Sequence, residues 1–221
     1  MNKKTEQEMI IVGLGHPRCG TGFTAGLLQA AGLDIPHEKP GKDGIVSWMA
    51  VSERGPTPWG NGIGRIHGRD DIKLFCCVRS PLHAIPSIIP ENRTLRSFAF
   101  RVQVIWEKLG VDLTSDRRLL NKPVNMAIAS YVYWFQMNLM LSPQFLFRID
   151  RPEDDEKLSE FVGTEVARNE DIGRNSRPNL RHKDFTVEDL KKVDKSLLKP
   201  LADLASRFGY EEDADTIKSV L

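Results

Sequence analysis

The segment that most constrains this chain is Met9-Ile10-Ile11-Val12-Gly13-Leu14-Gly15-His16-Pro17-Arg18-Cys19-Gly20-Thr21-Gly22. Met9–Val12 is a short apolar run ending at Gly13, the pattern of a strand buried on both faces of a parallel sheet. Gly13–Gly22 then holds four glycines and one proline, and Phe23–Ala31 has helical composition closed by Gly32, a good C-cap. Strand, glycine loop and helix in that order place outward-pointing N–H groups at a helix start, where partial positive charge suits an anion. Glycines let the backbone approach that anion closely. The same pattern without a ligand is a tight strand–helix turn; the arginine inside the loop favours the anion.

Further along, Ile72–Val78 reads as a second buried strand ending at Arg79-Ser80-Pro81. Residues 94–109 and 124–141 read as helices, 145–149 as a strand and 153–162 as a helix. Thr186, with Asp189 three residues on, forms a capping box for a last helix to about Phe208. Residues 33–70 are rich in Gly and Pro and read as one long irregular connection, the kind that is usually functional. Residues 163–185 are polar and irregular. Strands alternating with helices predict one α/β domain, residues 1–221, with a central, mostly parallel sheet flanked by helices in three layers. Ligands of such sheets lie at the carboxyl ends of the strands, so the loop after Gly13 and the turn after Val78 are expected on one edge, each with an arginine.

Composition excludes several function classes. Lys plus Arg total 31 against 30 for Asp plus Glu, a net charge of +1, so no global field favours nucleic acid and any anion site is local. The three cysteines, Cys19, Cys76 and Cys77, form no disulfide framework or CxxC pair, which points to a reducing, cytoplasmic setting. The apolar run Met9–Leu14 is too short for a signal-peptide core or a membrane span. Pro123–Phe147 carries no charged residue, yet Asn125, Ser130, Gln136 and Asn138 interrupt it; it reads as a buried helix followed by a strand. His16 and Cys19 have no further partners that would make a metal site.

The loop is not a GxxxxGK(S/T) phosphate loop, because Thr21 stands where the lysine belongs, and it is not GxGxxG, because Arg18 stands at the third glycine. Pro17-Arg18-Cys19-Gly20-Thr21 instead resembles the 5′-phosphosulfate loop of sulfotransferases that use 3′-phosphoadenosine 5′-phosphosulfate (PAPS). In that family an Arg after a later strand and a Ser eight residues on hold the donor's 3′-phosphate; Arg79 and Ser87 stand at that spacing. Read alone, Arg79 is a surface ion-pair residue and Ser87 a helix-turn residue. Together, a guanidinium and a hydroxyl suit a terminal phosphate bound without metal. The resemblance implies a P-loop-like fold and a donor site of Pro17, Arg18, Cys19, Gly20, Thr21, Gly22, Arg79 and Ser87. PAPS would be the co-substrate and adenosine 3′,5′-bisphosphate the product, with no metal. The basic segment 173–185 resembles the family's loop over the donor, which nominates Arg177 and Arg181, although it lacks the RKGxxGDWK pattern of the cytosolic enzymes.

Sulfuryl transfer also needs a base and positive charge on the leaving phosphate. Arg18 suits the second role. For the base, Glu38 is favoured, since carbohydrate-type members use a Glu after the first helix, and His37 is the alternative. Gly32–Glu38 and Gly44–Trp48 resemble bacterial sulfotransferase-like proteins, so the acceptor is expected to be a hydroxyl of a carbohydrate, with Trp48 and Trp59 as flat faces for sugar rings. His67 and His83 read as peripheral. Two other readings stay open: an unusual P-loop nucleotide-binding, kinase-like protein, and a non-catalytic relative that only binds the donor nucleotide.

Overall fold

The computed structural model describes residues 9–55, 63–93, 95–168, 172 and 185–221. β1 (Ile10–Leu14) leads through the glycine loop into α1 (Thr21–Ala30), β2 (Gly44–Val46) and a 3-10 turn at Trp48–Ser52. β3 (Ile72–Val78) is followed by α2 (Pro81–Glu91), α3 (Leu95–Leu109), α4 (Arg117–Leu120) and α5 (Pro123–Met140). β4 (Phe145–Arg148), α6 (Asp154–Val162), α7 (Val187–Leu190), α8 (Lys195–Arg207) and α9 (Glu211–Lys218) complete the order.

The four strands form one parallel sheet in the order β2-β1-β3-β4. Alternate residues serve opposite faces, as a two-residue strand period requires. Ile11, Phe75, Cys77 and Phe147 pack with Leu27 and Leu28 of α1 and Leu158 of α6. Val12, Leu14, Leu74, Cys76 and Val78 pack with apolar residues of α2, α3, α5, α8 and α9. Helices therefore cover both faces, and the three-layer α/β architecture expected from the alternating pattern is the one found. Among the described residues no helix is long and apolar enough to cross a membrane.

Two local expectations are corrected, and one helix is added to them. Residues 33–70 are not wholly irregular: they contain β2 and the 3-10 turn, and His37 bridges to Val46 beside β2. Pro81–Glu91 is a helix although Pro86 and Pro90 stand inside it. The last helix is two: the Thr186–Asp189 capping box is present on α7, but Asp194 accepts from Ser196 N at 2.9 Å and starts α8 afresh, and α9 follows beyond Gly209.

The β1–β2 contact depends on Gly44, whose φ is 152° and whose absent side chain leaves room for the Ile11 carbonyl. A methyl group at Gly44 would overlap that backbone oxygen, so the strands would have to part. Gly44→Ala is expected to cost at least ~1–3 kcal/mol, read as a lower urea midpoint.

Candidate functional site

The strand order reverses at β1: the chain goes from β1 to β2 on one side and returns to β3 on the other. The carboxyl ends of β1 and β3 thus flank the crevice where ligands of parallel sheets bind. Two loops emerge there. In the first, Gly20 N-caps α1 in a left-handed conformation, φ 85°, with no side-chain cap, and a methyl on it would strike Ile149. The N–H groups of the first turn of α1, from Thr21 to Phe23, have no carbonyl a turn earlier to bond. Thr24 N bonds Gly20 O at 2.9 Å, and Cys19 N bonds His16 O at 2.9 Å.

The arginines of the two loops meet. Arg18 Nε donates to Ser87 Oγ at 2.8 Å, and Arg79 Nη1 donates to Arg18 O at 3.4 Å. Both guanidinium groups are half-buried and Ser87 is buried. Arg18 has a positive φ, 76°, which for a non-glycine residue costs energy and points to a functional constraint. The N-terminus of α2 differs from that of α1. Asp213 accepts from Ser80 Oγ at 2.5 Å and Leu82 N at 3.2 Å, while Asp150 accepts from Ser80 N at 3.2 Å and from the Tyr210 hydroxyl. Carboxylates of the chain itself occupy that helix start, leaving Arg79 and Ser87 as the groups on β3's side with donors for an anion.

On the other side of α1, Glu38 N bonds Val46 O at 3.0 Å and Val46 N bonds Pro36 O at 3.2 Å. This pairing carries His37 and Glu38 to the carboxyl edge. His37 Nε2 lies 3.1 Å from Thr21 Oγ1 and 3.5 Å from Glu38 Oε1. Partial desolvation holds the His37 imidazole below its usual pKa, with the Glu38 charge pulling the other way. The lowered pKa favours the neutral imidazole. Glu38 Oε1 accepts from Trp48 Nε1 at 2.6 Å.

Not every nominated residue faces the site. The Cys19 side chain is buried, and burial pushes all three thiols up, so Cys19 offers no reactive sulfur, and its N–H is taken by His16. Pro17 is buried and has no N–H to give. Gly22 is exposed at the start of α1 beside the His37 ring. Trp48 is not an open stacking face: it is 6% exposed and packs on Phe100 and Trp134, each at 5.7 Å between ring centroids. Arg177, Arg181 and Trp59 lie outside the described residues. His83 Nδ1 stands 3.8 Å from Asp150, at the rim of the same edge. No group of three or more His, Cys, Asp or Glu that could hold a metal ion occurs among the described residues.

Sequence reading missed the support beneath the loops. Tyr131 OH donates to Arg79 O at 2.9 Å and Trp134 Nε1 to Gly15 O at 2.9 Å. Ser130 Oγ lies 3.1 Å from His16 Nε2, and His16 Nδ1 is 2.5 Å from Pro17 O. A carbonyl only accepts, so Nδ1 carries the proton and Nε2 accepts from Ser130. The signal was there: polar and aromatic residues in an uncharged, buried helix must bond something.

Comparisons with models of known protein families, with curated proteins and with solved structures found no match.

Two outcomes are expected. Tyr131→Phe leaves the Arg79 carbonyl without its donor and should cost about 1–3 kcal/mol in denaturant unfolding. Burial, then the Arg101 charge, hold buried His16 well below its usual 6.5. The unfolded chain therefore takes up the proton first, and the stability this neutral histidine confers is complete above pH 6.5 and is lost as pH falls below it. The slope is at most about 1.4 kcal/mol per pH unit for one group. Thermal melts from pH 7.5 to 5 should show the fall, and His16→Gln should flatten it.

Proposed function

We propose that this chain is a PAPS-dependent sulfotransferase that moves a sulfuryl group to a hydroxyl acceptor, a carbohydrate by preference. The observation that carries the reading is the Arg18–Ser87 contact at 2.8 Å with Arg79 against Arg18 O. Two motifs, far apart in sequence and nominated separately, supply their cations and hydroxyl to one crevice beside the uncapped start of α1. Without a lysine in the loop, that crevice suits a bisphosphorylated nucleotide held by guanidinium groups.

Arg18 covers Ser87. On donor binding, its guanidinium turns to the 5′-phosphosulfate and frees the Ser87 hydroxyl for the 3′-phosphate with Arg79. The acceptor oxygen attacks sulfur in line as the bond from sulfur to the 5′-phosphate oxygen breaks, its electrons leaving on phosphate. Arg18 and the N–H groups of Thr21 and Gly22 stabilise that charge. The acceptor proton goes to the His37–Glu38 pair. His37 is the member in contact with α1, and Glu38 stabilises the imidazolium that forms; the carboxylate is the base if the acceptor hydroxyl reaches it instead. Arg177 and Arg181 complete the proposed donor site.

The kinase-like reading predicts Mg²⁺-dependent ATP binding and has no observation in its favour; a binding-only relative would keep the donor site and transfer nothing.

Adenosine 3′,5′-bisphosphate without Mg²⁺ should raise the melting temperature by about 5 °C or more at a hundredfold excess over Kd. Arg79→Ala should weaken binding by about 10- to 100-fold. No shift at millimolar ligand overturns the donor assignment. His37→Ala and Glu38→Gln should bind normally yet abolish transfer from labelled PAPS to a panel of sugars and alcohols.

A further inference from the structure

Arg101, on α3, is fully buried. Its Nη1 donates to Ser97 Oγ at 2.9 Å and its Nη2 to Asn92 Oδ1 at 2.6 Å, both neutral acceptors. Its Nε and Asn92 Nδ2 have no partner. Among the described residues no carboxylate lies within salt-bridge distance of it, and the Glu91 charge acts on it only from farther off; the guanidinium carbon sits 5.8 Å from the centroids of the Trp48 and Phe98 rings. An unpaired buried cation costs several kcal/mol, only part of which two aromatic faces return. A methionine would fill similar volume without that cost, so packing alone does not account for the residue.

What it grips does. Trp48 links the two halves of the site: its indole N–H holds Glu38 Oε1 at 2.6 Å, and its ring packs on Trp134, whose own N–H holds Gly15 O at 2.9 Å. We infer that Arg101 is a positioning residue, clamping the Trp48 indole so that its N–H keeps the Glu38 carboxylate turned to a fixed place beside His37. The clamp follows from the contacts alone; its value for proton transfer rests on the sulfotransferase reading.

The test reads His37 directly. In the full-length protein, the ring protons of His37 are followed by NMR from pH 5 to 8, assigned with His37→Gln. Arg101→Met, or Arg101→Gln if the methionine variant does not fold, should release Trp48 and let the carboxylate close on His37, raising its titration midpoint. Trp48→Phe should give the same upward shift, and adding Arg101→Met to it should give no more. In a Glu38→Gln background Arg101→Met should leave the midpoint unchanged, and Arg101→Lys, which keeps a cation over the ring, should restore most of the wild-type value. A folded Arg101→Met protein with an unmoved His37 overturns the inference, as does a shift that persists without Glu38. Binding of adenosine 3′,5′-bisphosphate is measured on the same samples: its absence in the wild type fails the sulfotransferase reading while leaving the clamp to stand or fall on His37.

Discussion

Two carbonyl groups, Gly15 O and Arg79 O, are held by neighbouring side chains of one helix, and the geometry of the site follows from that. Trp134 and Tyr131 lie three residues apart on α5, hence on one face, and each donates to a different loop. The first loop follows β1 and the second follows β3, so the sheet brings both to the same edge, but only the helix fixes how they stand to one another. A helix that ties down loop carbonyls leaves the loop N–H groups and arginine side chains free to face outward. It can do so because it is dry: with water excluded, an unmade bond costs the full desolvation of the carbonyl. The absence of charge from 123 to 147 is thus a condition of the site.

Much of this was legible. β1, β3 and β4 are long enough and apolar enough to stand out, and the two arginines were placed on one edge by topology alone. What was not legible has physical reasons. β2 has three residues, too few to show a period, and its place rests on Gly44 tolerating the Ile11 carbonyl. α2 carries Pro86 and Pro90, each of which deletes an N–H donor, yet buried Ala84, Ile85 and Ile88 hold it against the sheet. α9 buries only Ala214 and Ile217, a stripe too thin to read. Trp48 resembled a sugar platform because sequence shows a residue's kind, not which side faces water. The partners of Tyr131, Trp134 and Arg101 were not legible, because Arg79, Gly15 and Trp48 lie about 50 or more residues away from them in the chain.

The site's charges are arranged without symmetry. On the α1 side the helix start has no side-chain cap. On the α2 side Asp150 and Asp213 already satisfy the helix start, so binding there depends on side chains. An anion with two separated phosphate groups would meet backbone N–H at one end and a guanidinium with a hydroxyl at the other. This favours a ligand with unlike ends over a simple triphosphate, which would seek a lysine and a metal along its length.

Backbone strain explains how neighbours in sequence become neighbours in function. Side chains of consecutive residues in an extended segment point to opposite faces, so His37 and Glu38 beside β2 should diverge. They do not: Nε2 and Oε1 are 3.5 Å apart, because Glu38 takes a φ of 61° and turns back under Trp48. Arg18 uses the same device. Its φ of 76° presents its carbonyl to Arg79 while its side chain reaches Ser87, so one residue joins both loops. Each such conformation costs of order 1–3 kcal/mol and persists only where the surroundings hold it. Here those surroundings are the pairing of residues 36–38 with β2 in one case and α5 beneath the loops in the other. Among the described residues four non-glycine positions have positive φ, Arg18, Glu38, Glu53 and Ser142. Two of the four are the residues on which the proposed chemistry rests.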